Sequence, residues 1–267
     1  MEFLIFFAFL ATLLTWSINS LGAASVLFLK SPSNKTMNLM LGFASGVMIA
    51  ASFWSLLEPS IELASKTSQL PPYVVATLGF LFGAVFMWLS DKIVTFSRRK
   101  FIISKVSRDK KTNRIIMLVL SITLHNIPEG LAIGVAFGSL RGGNYSPETL
   151  MGAITIALGI GIQNFPEGAA VSLPLRREGF SRPKSFLIGL LSGAVEPVAG
   201  VIGALAVVYI NAVLPYALAF AAGSMILVAV HELIPECQQN NETHPYFATM
   251  GIVSGFALMM LLDVMLG

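Results

Sequence analysis

The sequence predicts an all-helical integral membrane protein with eight transmembrane helices, and three observations carry that prediction. Of its 267 residues, 55% are hydrophobic and 12% charged, with a mean hydropathy of +0.78, far more apolar than a soluble domain. The apolar residues fall into runs of about 20, the length a helix needs to cross a hydrocarbon core roughly 30 Å thick. Lys and Arg gather between alternate runs. The spans are expected at approximately 3–29, 37–57, 73–96, 115–139, 148–175, 185–210, 214–234 and 246–266, with a basic loop at 97–114. The connections are otherwise too short for a soluble domain, so 1–267 is expected to be a single transmembrane domain.

The first span carries Glu2 where a signal peptide would have a basic segment, and it is too long for a signal core, so it is expected to be retained. Gly42, Ala44 and Gly46 in the second span, like Gly189, Gly193 and Gly200 in the sixth, suit close contact between helices. With loops alternating between sides, Lys30, Lys35, Lys92, Arg98, Arg99, Lys100, Lys105, Arg108, Lys110, Lys111, Arg114, Arg176, Arg177, Arg182 and Lys184 share one face. Only Lys66 and Arg141 fall opposite. Positive residues mark the cytoplasmic side, which places both termini outside, in a plasma or inner membrane. The net charge of +3 is thus an orientation signal and implies no nucleic acid partner. Cys237 is the one cysteine, so no internal disulfide can form.

The fourth and fifth spans each hold a copy of one motif: His125-Asn126-Ile127-Pro128-Glu129-Gly130 and Gln163-Asn164-Phe165-Pro166-Glu167-Gly168. A carboxylate at mid-membrane costs roughly 3 kcal/mol even on lenient scales, so its presence points to function. His125 and Glu129 are four residues apart and share a helix face, as do Gln163 and Glu167. Imidazole with carboxylate and amide oxygen, and no thiolate, suits Zn2+ or a related divalent ion held reversibly. Pro128 should free the carbonyl of Leu124 and Pro166 that of Ile162, which lipid permits only inside protein or beside a wet cavity. Gly130 and Gly168 then allow a neighbouring helix to approach.

In the sixth span Glu196, followed by Pro197, is a further candidate ligand, and Asn126 and Asn164 could reach a second ion or simply bond between helices. His231 and Glu232 on the seventh span and Asp91 on the third could form a release site. Glu58 and Asp263 could form an outer entrance.

The paired motifs resemble the signature of the ZIP (Zrt-, Irt-like) divalent metal transporters, and the version with Gln163 and with Glu196-Pro197 is most similar to the GufA-like branch. The likeness covers essentially the whole chain. It implies uptake of Zn2+ toward the cytoplasm by alternating access, with Cd2+, Fe2+ or Mn2+ as other substrates, a binuclear site, and no enzymatic chemistry. By matching positions, His125, Glu129, Gln163 and Glu167 would hold one ion. Asn126, Asn164 and Glu196 would hold a second, with Glu129 and Glu167 bridging. The implied fold is a 3+2+3 inverted repeat, helices 1 to 3 against 6 to 8 around the pair 4 and 5, moving relative to each other. Asn164 stands where many members have Asp, which weakens the second site, and the basic loop lacks the histidines that many members carry there.

Two rival readings remain at this stage. An intramembrane zinc enzyme could also use His and Glu, but His231-Glu232-Leu233-Ile234 is followed by Pro235 and forms no His-Glu-x-x-His motif. A passive channel is not distinguished from a carrier by sequence. The partners expected are metal ions and the bilayer, with a homodimer left open.

Overall fold

The computed structural model describes residues 2–28, 33–104, 110–140, 146–177, 179–209, 211–238 and 246–266; at 94–104, 110–122, 125, 148, 177 and 211 only the backbone is described. The basic run Arg98 to Arg114, together with Lys30 and Arg141, therefore lies outside the described side chains. Among the described residues the chain forms eight long helical segments: α1 (Glu2–Phe28), α2 (Asn34–Thr67), α3 (Pro72–Ser104), α4 (Lys110–Gly138), α5 (Pro147–Arg177), α6 (Arg182–Tyr209), α7 (Leu214–Gln238) and α8 (Tyr246–Leu266). Seven are long and apolar enough to cross a membrane, and α4, at 29 residues, has the length for the eighth.

Local chemistry sets the helix ends. Ser33 caps α2 by accepting a hydrogen bond from the Thr36 amide at 3.2 Å, and Pro72, Pro147 and Pro183 sit at helix starts, where a missing N–H costs nothing. Between α5 and α6 the chain reverses on Gly179 at φ +94°, a conformation only glycine adopts freely. Phe180 N–H then reaches back to the Leu175 carbonyl at 3.2 Å. Helix continues past the apolar runs in α2, α3 and α4, so much of the expected 97–114 loop is helical. Hydropathy marks what lipid can accept and is blind to a polar helix extension.

The expected continuous sixth span is interrupted at Gly193 and Ala194. Pro197 has no N–H to give the Gly193 carbonyl, so the Glu196 amide bonds there instead, at 3.0 Å, and the Ala194 amide bonds Leu191 at 3.2 Å. The carbonyls of Leu190 and Ser192 then take side-chain donors from other helices: Trp16 Nε1 at 2.8 Å and Asn126 Nδ2 at 3.2 Å. A break in one helix becomes a set of ties between three.

Two π-helical turns occur at Ser52–Leu57 in α2 and Ala229–Leu233 in α7. Each closes with the residue before a proline, Glu58 N–H to Phe53 O and Ile234 N–H to Ala229 O. Pro59 and Pro235 cannot continue the α-helical ladder there.

The inverted repeat is written in the packing. The most extensive contacts pair α1 with α5, α4 with α6, α2 with α8 and α3 with α7. Exchanging helices 1–3 with 6–8, and 4 with 5, maps this set onto itself. The correspondence holds residue by residue at close backbone approaches. Gly168 rests on the Asn19 carbonyl as Gly130 rests on that of Glu196, and Gly255 meets Phe43 as Gly83 meets Phe220. Four spans lie between α1 and α6, so the two triplets cross the membrane in opposite directions.

The division into moving groups expected from the repeat, helices 1–3 against 6–8, is not how the helices pack. α1, α4, α5 and α6 all contact one another, and α2, α3, α7 and α8 form the other group, joined to the first mainly through α2 with α5 and α4 with α7. Large apolar side chains of α1, α3 and α8, among them Phe3, Leu21, Phe82 and Val264, remain exposed on the outside, as a lipid-facing surface requires.

Candidate metal centre

The two motif helices run unbroken through Pro128 and Pro166 and bring their polar residues together in the interior. Asn126, Glu129, Gln163 and Asn164 are fully buried, as is Glu196, and Glu167 is 2% exposed. Gln163 Nε2 donates to Glu129 Oε1 at 2.5 Å, so the fourth and fifth helices face each other with one motif's side chain against the other's. That one bond orients both groups. The amide nitrogen is used on one carboxylate oxygen, which leaves Gln163 Oε1 and Glu129 Oε2 free.

Those two oxygens, both oxygens of Glu167 and Asn164 Oδ1 are buried and find no hydrogen-bond donor among the described residues. A buried acceptor without a donor ordinarily costs about 1–3 kcal/mol. Five such acceptors, with no positive side chain beside them among the described residues, form an electron-rich cluster whose natural complement is a cation. Glu129 lies within electrostatic range of both Glu167 and Glu196, and mutual repulsion of three carboxylates sharpens the same demand. Among the described residues no three His, Cys, Asp or Glu side chains converge closely enough to chelate an ion unaided. Gln163 Oε1 and Asn164 Oδ1 add two neutral oxygens to those of the carboxylates. The backbone of His125 lies one turn before Glu129 on α4, and its side chain lies outside the described residues.

Glu196 is held differently. Thr15 Oγ1 donates to its Oε2 at 2.5 Å and Asn164 Nδ2 to its Oε1 at 2.6 Å, with Asn164 Nδ2 also 3.3 Å from the Thr15 carbonyl. Thr15 and Trp16 on α1 and Ser192 on α6 are hydrogen-bonding neighbours of this cluster that the motifs do not point to. Their signal was available in the matched stretches Leu13-Leu14-Thr15 and Leu190-Leu191-Ser192 of the two repeat halves.

The expected entrance and exit residues lie on the other helix group. Asp263 accepts a hydrogen bond from Ser55, which the π turn of α2 presents to α8, and Glu58 is exposed within electrostatic range of Asp263. On the neighbouring helices α3 and α7, Asp91 and Glu232 are half-buried and His231 is exposed.

Comparison with known proteins is decisive here. A family model described as ZIP zinc transporter matches residues 104–263. The chain belongs to that family. It is 38% identical to zinc transporter ZIP11 of Xenopus tropicalis, over 97% of this chain and 96% of the relative, and 37% identical to zinc transporter ZIP11 of Homo sapiens, over 98% of each. It is also 35% identical to zinc transporter GufA of Myxococcus xanthus, over 96% of this chain and 98% of the relative. Membership in the ZIP family makes the chain a multi-pass membrane transporter with zinc as substrate, not an enzyme.

Proposed function

We propose that this ZIP family member moves Zn2+ toward the cytoplasm by alternating access, through an intramembrane site at the meeting of α4 and α5. The observation that carries the reading is the cluster of donorless buried oxygens around the Gln163–Glu129 bond. Glu129 Oε2, Gln163 Oε1 and the Glu167 carboxylate offer oxygen, and His125, one turn from Glu129, offers imidazole nitrogen. The carboxylates neutralise the ion so that the low-dielectric interior is no longer a prohibitive barrier. Cd2+, Fe2+ and Mn2+ share this donor chemistry and are expected to compete.

A second ion would lie beside the first, toward Asn126, Asn164 and Glu196, with Glu129 and Glu167 bridging. It is held more weakly. Both oxygens of Glu196 already accept hydrogen bonds, and Asn164 brings no charge.

Positive residues place the Glu58 and Asp263 end outside and the Asp91, His231 and Glu232 end inside. The ion then enters past the first pair and leaves past the second group. Because α1, α4, α5 and α6 pack as a unit, the site travels with that unit against α2, α3, α7 and α8. The π turns at Pro59 and Pro235 sit in the two helices that meet it. The test is zinc uptake by proteoliposomes holding Glu129→Ala or Glu167→Ala. Uptake is expected to fall to that of empty vesicles while the protein stays folded, and wild-type uptake by either variant overturns the site.

A further inference from the structure

The inverted repeat assigns a partner to every residue of the site. Glu129 corresponds to Glu167, Asn126 to Asn164, and Thr15 to Ser192, since Asn164 Nδ2 bonds the Thr15 carbonyl at 3.3 Å as Asn126 Nδ2 bonds the Ser192 carbonyl at 3.2 Å. Glu196 has its counterpart on α1. The residue whose carbonyl rests against Gly168, as the carbonyl of Glu196 rests against Gly130, is Asn19.

Asn19 is fully buried in the middle of an apolar helix. Its Nδ2 donates to the Gly189 carbonyl at 3.1 Å, and Gly193 leaves room for the amide, since a Cβ there would lie 2.7 Å from Nδ2. The side chain is thus seated, with its oxygen turned away from Gly189. That Oδ1 has no hydrogen-bond donor among the described residues. Bonding between helices accounts for the nitrogen and leaves the oxygen unexplained. Glu196, by contrast, has both oxygens engaged.

We propose that Asn19 is a further cation ligand, its Oδ1 coordinating from α1 as Glu196 does from α6, so that the transport path has one charged and one neutral arm related by the repeat. The proposal rests on the α4/α5 metal site above and adds to it a residue outside both motifs. A neutral arm holds the ion less tightly than a carboxylate, which favours release from that side.

The experiment measures Zn2+ binding to the purified full-length protein in detergent by equilibrium dialysis, with monodispersity and melting as checks of folding. Asn19→Ala is expected to weaken binding at least fivefold and Glu196→Gln at least tenfold. The double variant Asn19→Asp with Glu196→Gln, which carries the carboxylate across the repeat, is expected to recover at least half of the loss. Asn19→Ala creates no clash, so it reports even where Asn19→Asp folds poorly. Unchanged binding in Asn19→Ala, or loss without recovery in a folded double variant, overturns the proposal while Glu129→Ala still abolishes binding. Wild-type binding by either Glu129→Ala or Glu167→Ala would overturn the underlying site as well, and the two failures are separately visible.

Discussion

Replacing Gly168 with alanine should damage this protein far more than the same change at Gly152, on the same helix. A Cβ at Gly168 would overlap the Asn19 carbonyl and lie 2.9 Å from the Ala23 amide nitrogen, while one at Gly152 meets nothing within 4 Å. The obstacle is backbone on α1, so no side-chain rotation relieves it and α1 must move off α5 by about 1 Å, with an overpacking cost of about 1–3 kcal/mol. The Asn164 to Thr15 carbonyl bond, 3.3 Å at rest, does not survive that shift, and the Thr15 bond to Glu196 is stretched. Losing the first costs about 1 kcal/mol, and a bond to a charged group is worth about 1.5–3 kcal/mol. Alanine's better helix propensity returns about 1 kcal/mol, so the net destabilisation is on the order of 3 kcal/mol. At Gly152 only the propensity gain remains. The assay is thermal unfolding in detergent alongside zinc uptake in proteoliposomes. Gly168→Ala should melt well below wild type with uptake under a tenth, and Gly152→Ala should match or exceed wild type in both. Equal behaviour of the two variants would refute the close packing of α1 on α5 and its coupling to the site.

Other outcomes follow from the same geometry. Glu129→Gln removes the charge but keeps the shape, so the protein should remain folded and lose zinc binding at least tenfold, measured by dialysis. Asp263→Asn should raise the zinc concentration needed for half-maximal uptake and leave equilibrium binding at the α4/α5 site near wild type, because its partners Ser55 and Glu58 lie outside that site. Metal ligands must shed protons to bind, so zinc binding should weaken on acidification from about pH 7.5 to about pH 5.5. Glu62→Ala should change melting little, since its bond to Lys66 at 2.6 Å is an exposed pair one helical turn apart, worth about 0.3–0.5 kcal/mol.

Much of this architecture was legible in the residues because lipid is a severe solvent. It forces apolar runs of fixed length, so the spans could be drawn, and it makes Glu129, Glu167 and Glu196 conspicuous against their surroundings. Gly42, Gly46, Gly130 and Gly168 were also readable as close contacts, and each indeed meets the backbone of a neighbouring helix. The break in α6 was harder to foresee. It depends on which carbonyls Pro197 releases and which donors, Trp16 and Asn126, stand ready on other helices. The π turns in α2 and α7 escaped hydropathy for the same reason, since they change hydrogen bonding without changing composition. The division into two helix groups is a matter of tertiary contact alone. Asn19 and Thr15 were passed over because an isolated amide or hydroxyl in an apolar helix is commonly an interhelical bond. Their meaning emerges only when the two repeat halves are laid over each other.

Transport through this protein requires a zinc ion to be held between α4 and α5 by groups from both motifs. Anomalous scattering at the zinc edge, from crystals of the zinc-soaked protein, tests this most directly. It predicts a peak bounded by Glu129, Gln163 and Glu167, with His125 completing it, and a peak confined to the ends of the helices, with none between α4 and α5, would contradict it.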